Sequence, residues 1–190
     1  SSEALRVRPS VSIAGQAATV TGSGTSWSAA YPMAPGDSDN VSVSLNIDFS
    51  DLARNPGIAV TSTTDGSAVL FDRTPPELSS VTIASNNTLS TMAKTGDVIT
   101  LSITSTEAIR TPTVEIAGQA ATETGDNMTW SAAYTMLDNN TEESVSLNIV
   151  YYDLAGNAGD NVTSTTNGSA VQFDRTLPVL QPVDNVTTPT

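Results

Sequence analysis

The sequence contains no cysteine and no histidine. Without thiols there is no disulfide framework, no thiolate nucleophile and no sulfur-ligated metal. Without imidazole, the commonest general base and transition-metal ligand is missing too. Aromatic residues make up 5% of the 190 residues and apolar residues 38%, a low share for a globular protein. Positive charge is scarce: seven Lys and Arg stand against 20 Asp and Glu, for a net charge of −13. That field repels phosphate backbones, which argues against a nucleic-acid partner. No apolar run reaches the roughly 18 residues of a membrane span, and no charged-then-apolar leader opens the chain. Membrane insertion is therefore not expected, and Ser1 reads as an interior point of a longer precursor or a processed terminus.

What the chain has in abundance is serine and threonine, alternating with small and branched apolar residues. Such a mixture suits thin β-layers, in which every second side chain faces water. The strongest signal is an internal repeat. Ile13-Ala-Gly-Gln-Ala-Ala-Thr19 returns as Ile116 to Thr122, and Trp27-Ser-Ala-Ala-Tyr31 returns as Trp130 to Tyr134. Val43 to Ile47 returns as Val145 to Ile149, Asp51 to Asn55 as Asp153 to Asn157, and Phe71-Asp-Arg-Thr74 as Phe173 to Thr176. A period of about 100 residues is one whole sandwich domain rather than a solenoid unit.

Period-two alternation predicts strands near 78–84, 98–104, 112–117, 119–124, 128–136, 144–152, 161–166 and 170–174. Trp130, Ala132 and Tyr134 share one face, as do Val145, Leu147 and Ile149. Turn chemistry at Lys94-Thr-Gly-Asp97, Gly125-Asp-Asn127 and Asn167-Gly-Ser169 separates the strands. No amphipathic helix is evident. The predicted organisation is an incomplete repeat over 1–72 that lacks its first two strands and a complete repeat over 73–174. Residues 175–190 then start a following repeat or form a donor or linker segment.

Three segments carry a family resemblance: Phe71-Asp-Arg-Thr-Pro-Pro76, Ala93-Lys-Thr-Gly-Asp97 and Tyr152-Asp-Leu-Ala-Gly-Asn157. With them the sequence resembles the bacterial and archaeal immunoglobulin-like tandem repeats of giant cell-surface adhesins. The resemblance covers essentially the whole chain and implies an all-β class of Greek-key sandwiches strung into an extracellular rod. It also implies that neighbouring Ig-like repeats are the immediate partners and that calcium binds at some domain junctions. One departure stands out: Arg54 replaces the glycine found at Gly156, which predicts a differently shaped turn in the first copy.

Acidic turns are the candidate metal ligands. Asp153 to Asn157 reads first as a loop locked by its own side-chain hydrogen bonds. The alternative is a calcium site, with Asp72, Asp153, Asn157, Asp160 and Asp174 supplying oxygens. The acidic stretches Asp37 to Asn40 and Asp138 to Glu142 read as solvated connections. Candidate N-glycosylation sequons fall at Asn40, Asn86, Asn127, Asn139, Asn161, Asn167 and Asn185. The prolines after Asp72-Arg-Thr predict a stiff linker. No nucleophile–base pair, phosphate loop or metal-hydrolase signature is present, so the reading is not an enzyme, with no cofactor required beyond the candidate calcium. The leading expectation is a spacer segment of a surface adhesin. A filament subunit joined to other copies by strand exchange is the alternative, and an accessory carbohydrate-binding module the third.

Overall fold

Alternation of hydroxylated and branched side chains favours extended backbone wherever one face can be covered. The computed structural model describes residues 1–180, and every regular element among them is a β-strand. The chain divides into two units, Ser1–Thr74 and Pro75–Thr190. Unit 1 carries β1 (Ser10–Ile13), β2 (Gln16–Ala17), β3 (Thr19–Ser23), β4 (Ser26–Ala30), β5 (Val41–Ser42), β6 (Leu45–Asp48) and β7 (Leu70–Phe71). Unit 2 opens with β8 (Leu78–Ser85), β9 (Met92–Ala93) and β10 (Val98–Ser105). It continues with β11 (Thr113–Ile116), β12 (Gln119–Ala120), β13 (Thr122–Asp126), β14 (Thr129–Thr135), β15 (Leu147–Val150) and β16 (Gln172–Phe173).

In unit 2 one antiparallel sheet has the order β13-β14-β10-β8 and a second the order β12-β11-β15. A short parallel pair, β16 with β9, completes the set. Leu101 sits opposite Ala132 on one side and Ile83 on the other, so the apolar face is in register across three strands. Val81, Ile99, Leu101 and Ala132 from the first sheet are fully buried. They share one core with Val114, Ile116 and Ile149 of the second sheet, an arrangement consistent with a β-sandwich. Each such branched side chain stabilises the fold by about 1.5–3 kcal/mol.

Unit 1 repeats part of this plan. Its sheets are β2-β1-β6, the hairpin β3-β4 and the pair β5-β7. The hairpin register is the same in both units: Gly22 faces Trp27 as Gly125 faces Trp130. These glycines have φ of 127° and 146°, and a Cβ on either would strike the backbone of the opposite strand. That geometry requires glycine. In unit 1, however, β4 has only β3 beside it, whereas β14 also pairs with β10. Among the described residues, the buried apolar side chains of unit 1 are Pro9, Val11 and Val20.

Several strand expectations change in the structure. The segment expected as one strand over 119–124 is two, because the chain leaves the β11 layer and joins β14 at Ala121. The expected strand over 161–166 reduces to a bridge between Val162 and Ile149. There the hydroxyls of Thr165 and Thr166 bond the Ser169 and Val81 carbonyls in place of a ladder. Strand β9 was not foreseen, since two residues cannot display a period. The rings of Trp130 and Tyr134 are half-buried against the core, and Ala132 between them is fully buried.

Candidate functional site

The acidic turn 153–157 begins from an aspartate at the end of an apolar strand. Asp153 is 1% exposed. Its carboxylate accepts hydrogen bonds from the Gly156 N–H, from the Asn157 N–H at 2.8 Å and from Asn157 Nδ2 at 2.6 Å. The Asp153 N–H in turn donates to the Asn157 carbonyl at 3.1 Å. A buried carboxylate is tolerated because these donors satisfy it. Beyond the turn, Arg110 donates to the Leu154 carbonyl at 2.9 Å.

The first copy keeps the Asp–Asn ties of this turn. Asp51 accepts from Asn55 N at 2.8 Å and Asn55 Nδ2 at 2.7 Å, and its own N–H donates to the Asn55 carbonyl at 3.1 Å. The Asn55 side-chain amide, followed by its backbone N–H, holds the Asp51 carboxyl below the usual range. The two turns share the Asp–Asn bonds but differ at the position of Arg54, whose N–H donates to the Asp51 carbonyl at 3.2 Å, whereas the Gly156 N–H donates to the Asp153 carboxylate. Arg54 adopts φ 76° where Gly156 has φ 104°, so the hydrogen bonds of the turn outweigh the cost of a left-handed arginine.

Asp72 accepts from the Thr74 N–H at 3.1 Å, and Asp174 from the Thr176 N–H at 2.9 Å, each closing the Asp-Arg-Thr segment of its own unit. Asp160 is exposed and acts on Tyr151, whose hydroxyl burial foremost and then that charge push up.

Acidic positions expected to be merely solvated do more than that. Asp39 accepts from Arg73 N at 2.9 Å and from the Thr74 hydroxyl at 2.6 Å, and pairs with Arg73 Nε at 3.7 Å. The Thr74 hydroxyl is the foremost cause of a lowered Asp39 pKa. Glu142 does the same work in unit 2, accepting from Arg175 N at 2.8 Å and the Thr176 hydroxyl at 3.0 Å. Two residues upstream of each, a polar side chain is buried. Asp37 accepts from the Tyr31 hydroxyl at 3.1 Å, and Asn140 from the Tyr134 hydroxyl at 3.2 Å. The Lys94 to Asp97 turn is tied by Asp97, which accepts from Asn87 Nδ2 at 2.6 Å and Lys94 N at 2.9 Å. The Asn87 amide foremost, then the Lys94 N–H, lowers its pKa. Sequence reasoning named these segments but not their clamps. The signal was there in the coincidence of Asp39 with Glu142 at equivalent places in the repeat.

The sequon asparagines Asn40, Asn86, Asn127, Asn139, Asn161 and Asn167 are all exposed, and Asn185 lies outside the described residues. Asn86 and Asn167 also shape turns, accepting from Val98 N at 2.8 Å and Ser169 N at 3.0 Å. The described residues include no helix long and apolar enough to cross a membrane.

Unit 1 has one further feature, a cleft of about 520 Å³ lined in part by Leu5, Trp27, Ile47, Phe49, Val60 and Thr64. It opens beside β4. No protein-family model, curated protein or solved structure matches the chain.

Proposed function

We propose that the chain is a spacer segment of an extracellular surface protein, in which immunoglobulin-like Greek-key sandwiches follow one another to extend a distal binding region. The observation that carries this reading is that the repeated residues do mechanical work. Asp51 and Asp153, Asp39 and Glu142, and Asp37 and Asn140 each tie a loop to a strand end in the same way in both copies. Repetition of a whole domain together with its internal ties is what an extended array needs, because each unit then resists unravelling by itself. The successive crossing of the chain between layers, from β10 to β11 and again from β14 to β15, supports the Greek-key connection. The acidic surface keeps such an array soluble and self-repelling.

Small-angle scattering on the chain tests this reading. An extended pair of units gives a radius of gyration well above the roughly 16 Å of a compact globule of this length. A value near that figure would count against a spacer. Surface labelling of intact cells, with an antibody to unit 2, checks the location.

A further inference from the structure

The loop that runs along the outer edge of β8 contains a chemically labile pair. Strand β8 ends its sheet, with β10 on one side only. On the other side the loop takes the place of a strand. The Val81 N–H donates to the Thr166 hydroxyl and the Ile83 N–H to the Ser169 hydroxyl, each at 3.0 Å. The Thr166 N–H returns a bond to the Val81 carbonyl at 2.9 Å. Two anchors thus latch an edge that would otherwise present unpaired donors. The length of backbone between them sets the match of Thr166 to Val81 and of Ser169 to Ile83.

Between the anchors stand Asn167 and Gly168, the sole Asn-Gly pair of the sequence. Both are exposed, and a Cβ at Gly168, whose φ is 72°, would meet no atom within 4 Å. Glycine has no side chain to shield its backbone nitrogen from the Asn167 Cγ. The Ser169 N–H donates to Asn167 Oδ1 at 3.0 Å, which folds the side chain back over the Gly168 peptide. That donor also sits on the oxygen that gains negative charge when a nucleophile adds to Cγ.

The first copy holds the same turn with an acid in place of the amide. Asp65-Gly66-Ser67 occupies the equivalent positions, Gly66 has φ 73°, and the Ser67 N–H donates to Asp65 Oδ1 at 3.0 Å. The Ser67 N–H foremost, then its hydroxyl, holds the Asp65 carboxyl below its usual range. An aspartate is therefore compatible with this turn.

We propose that Asn167 is a site of spontaneous deamidation and that its isoaspartyl product unlatches the outer edge of β8. The Gly168 nitrogen bonds to Asn167 Cγ and gives up its proton; the Cγ–Nδ2 bond breaks and ammonia leaves. Water then opens the cyclic imide. Opening at Cγ gives aspartate, which the turn accommodates as it does Asp65. Opening at the α-carbonyl routes the backbone through Cβ and Cγ. That product adds one methylene between Thr166 and Ser169, so the two hydroxyls no longer meet both of their β8 partners. The inference stands independently of the spacer reading.

The experiment stores the full chain, made in a host without N-glycosylation, in warm and mildly alkaline buffer, and maps its peptides by mass. A gain of one mass unit is expected at Asn167 before any other asparagine. The isoaspartyl fraction is then separated, and amide exchange is read at Val81 and Ile83. Exchange there is expected to quicken at least about tenfold in the isoaspartyl fraction and to stay within about twofold in Asn167→Asp. Three results would overturn the proposal. One is conversion at Asn167 no faster than at the other asparagines. Another is an isoaspartyl fraction in which Val81 and Ile83 exchange as in the fresh chain. The third is an equal loss of protection in Asn167→Asp, which would assign the effect to charge and not to backbone length.

Discussion

Units 1 and 2 carry nearly the same β-hairpin, the same acidic turn and the same loop clamps, yet they bury very different amounts of apolar surface. Ile149 is 0% exposed and its counterpart Ile47 is half-buried; Val114 is 0% exposed and Val11 is 9%. The difference lies in β8 and β10, which only unit 2 has. Local hydrogen bonding thus persists where the core is open, because turns and caps are satisfied within a few residues. Burial depends on the second layer being complete. The comparison separates what a sequence motif does locally from what its neighbours add.

The largest expected effect is on cooperativity. Limited proteolysis of the full chain is expected to cut within Ser1–Thr74 at least about a hundredfold faster than within Pro75–Phe173, since open segments are cleaved from low-energy states. Equal cleavage rates would erase the contrast. Next comes Phe173→Ala, expected to cost unit 2 about 3–5 kcal/mol by urea unfolding. Phe71→Ala at the equivalent half-buried site is expected to cost less than about 1.5 kcal/mol.

Much of this was legible in the sequence. The repeat followed from the self-similarity of its segments, and the all-β class and the inward faces of Val145, Leu147 and Ile149 from period-two alternation. The layer change at Ala121 was not legible, because Gln119 to Thr124 reads as one alternating run whichever sheet it pairs with. Nor was the loss of a strand at 161–166, where threonine hydroxyls compete with backbone donors. The ties from Asp39 and Glu142 to the Arg-Thr segments span more than thirty residues, and composition alone gives no hint of such pairing. At Arg54 the sequence pointed to a local difference in the turn, but not to the Asp51–Asn55 bonds that both copies keep.

That turn offers a smaller, sharper test. Gly156→Arg is expected to destabilise unit 2 by about 1–2 kcal/mol, the cost of a left-handed non-glycine residue. Arg54→Gly is expected to stabilise the first turn, read as slower amide exchange at Asn55. If both substitutions were neutral, the strain assigned to Arg54 would be absent. Asp153→Ala should cost about 1–3 kcal/mol by orphaning the Gly156 and Asn157 donors, and Asp51→Ala should cost less because its turn is exposed.

The smallest effect is that of pH. Asp39, Asp51 and Asp97 all have folded pKa values below the ordinary carboxylate value, with hydrogen bonds as the main cause. Such groups contribute stability above the unfolded pKa of about 3.9 and lose it as pH falls through the lower folded values. Urea midpoints should therefore be level between about pH 5 and 7 and decline below about pH 4. Asp97→Asn is expected to flatten that decline for unit 2.

The central claim is that the strands β8 and β10 beside β14, not the hairpin sequence, set the difference between the units. Hydrogen exchange on the unmodified chain measures it most directly, by comparing Ser26–Ala30 with Thr129–Ala133. The account predicts strong protection of the second segment and, on the open edge of the first, exchange close to that of unstructured peptide. Equal protection of the two segments in a monomeric chain would contradict it.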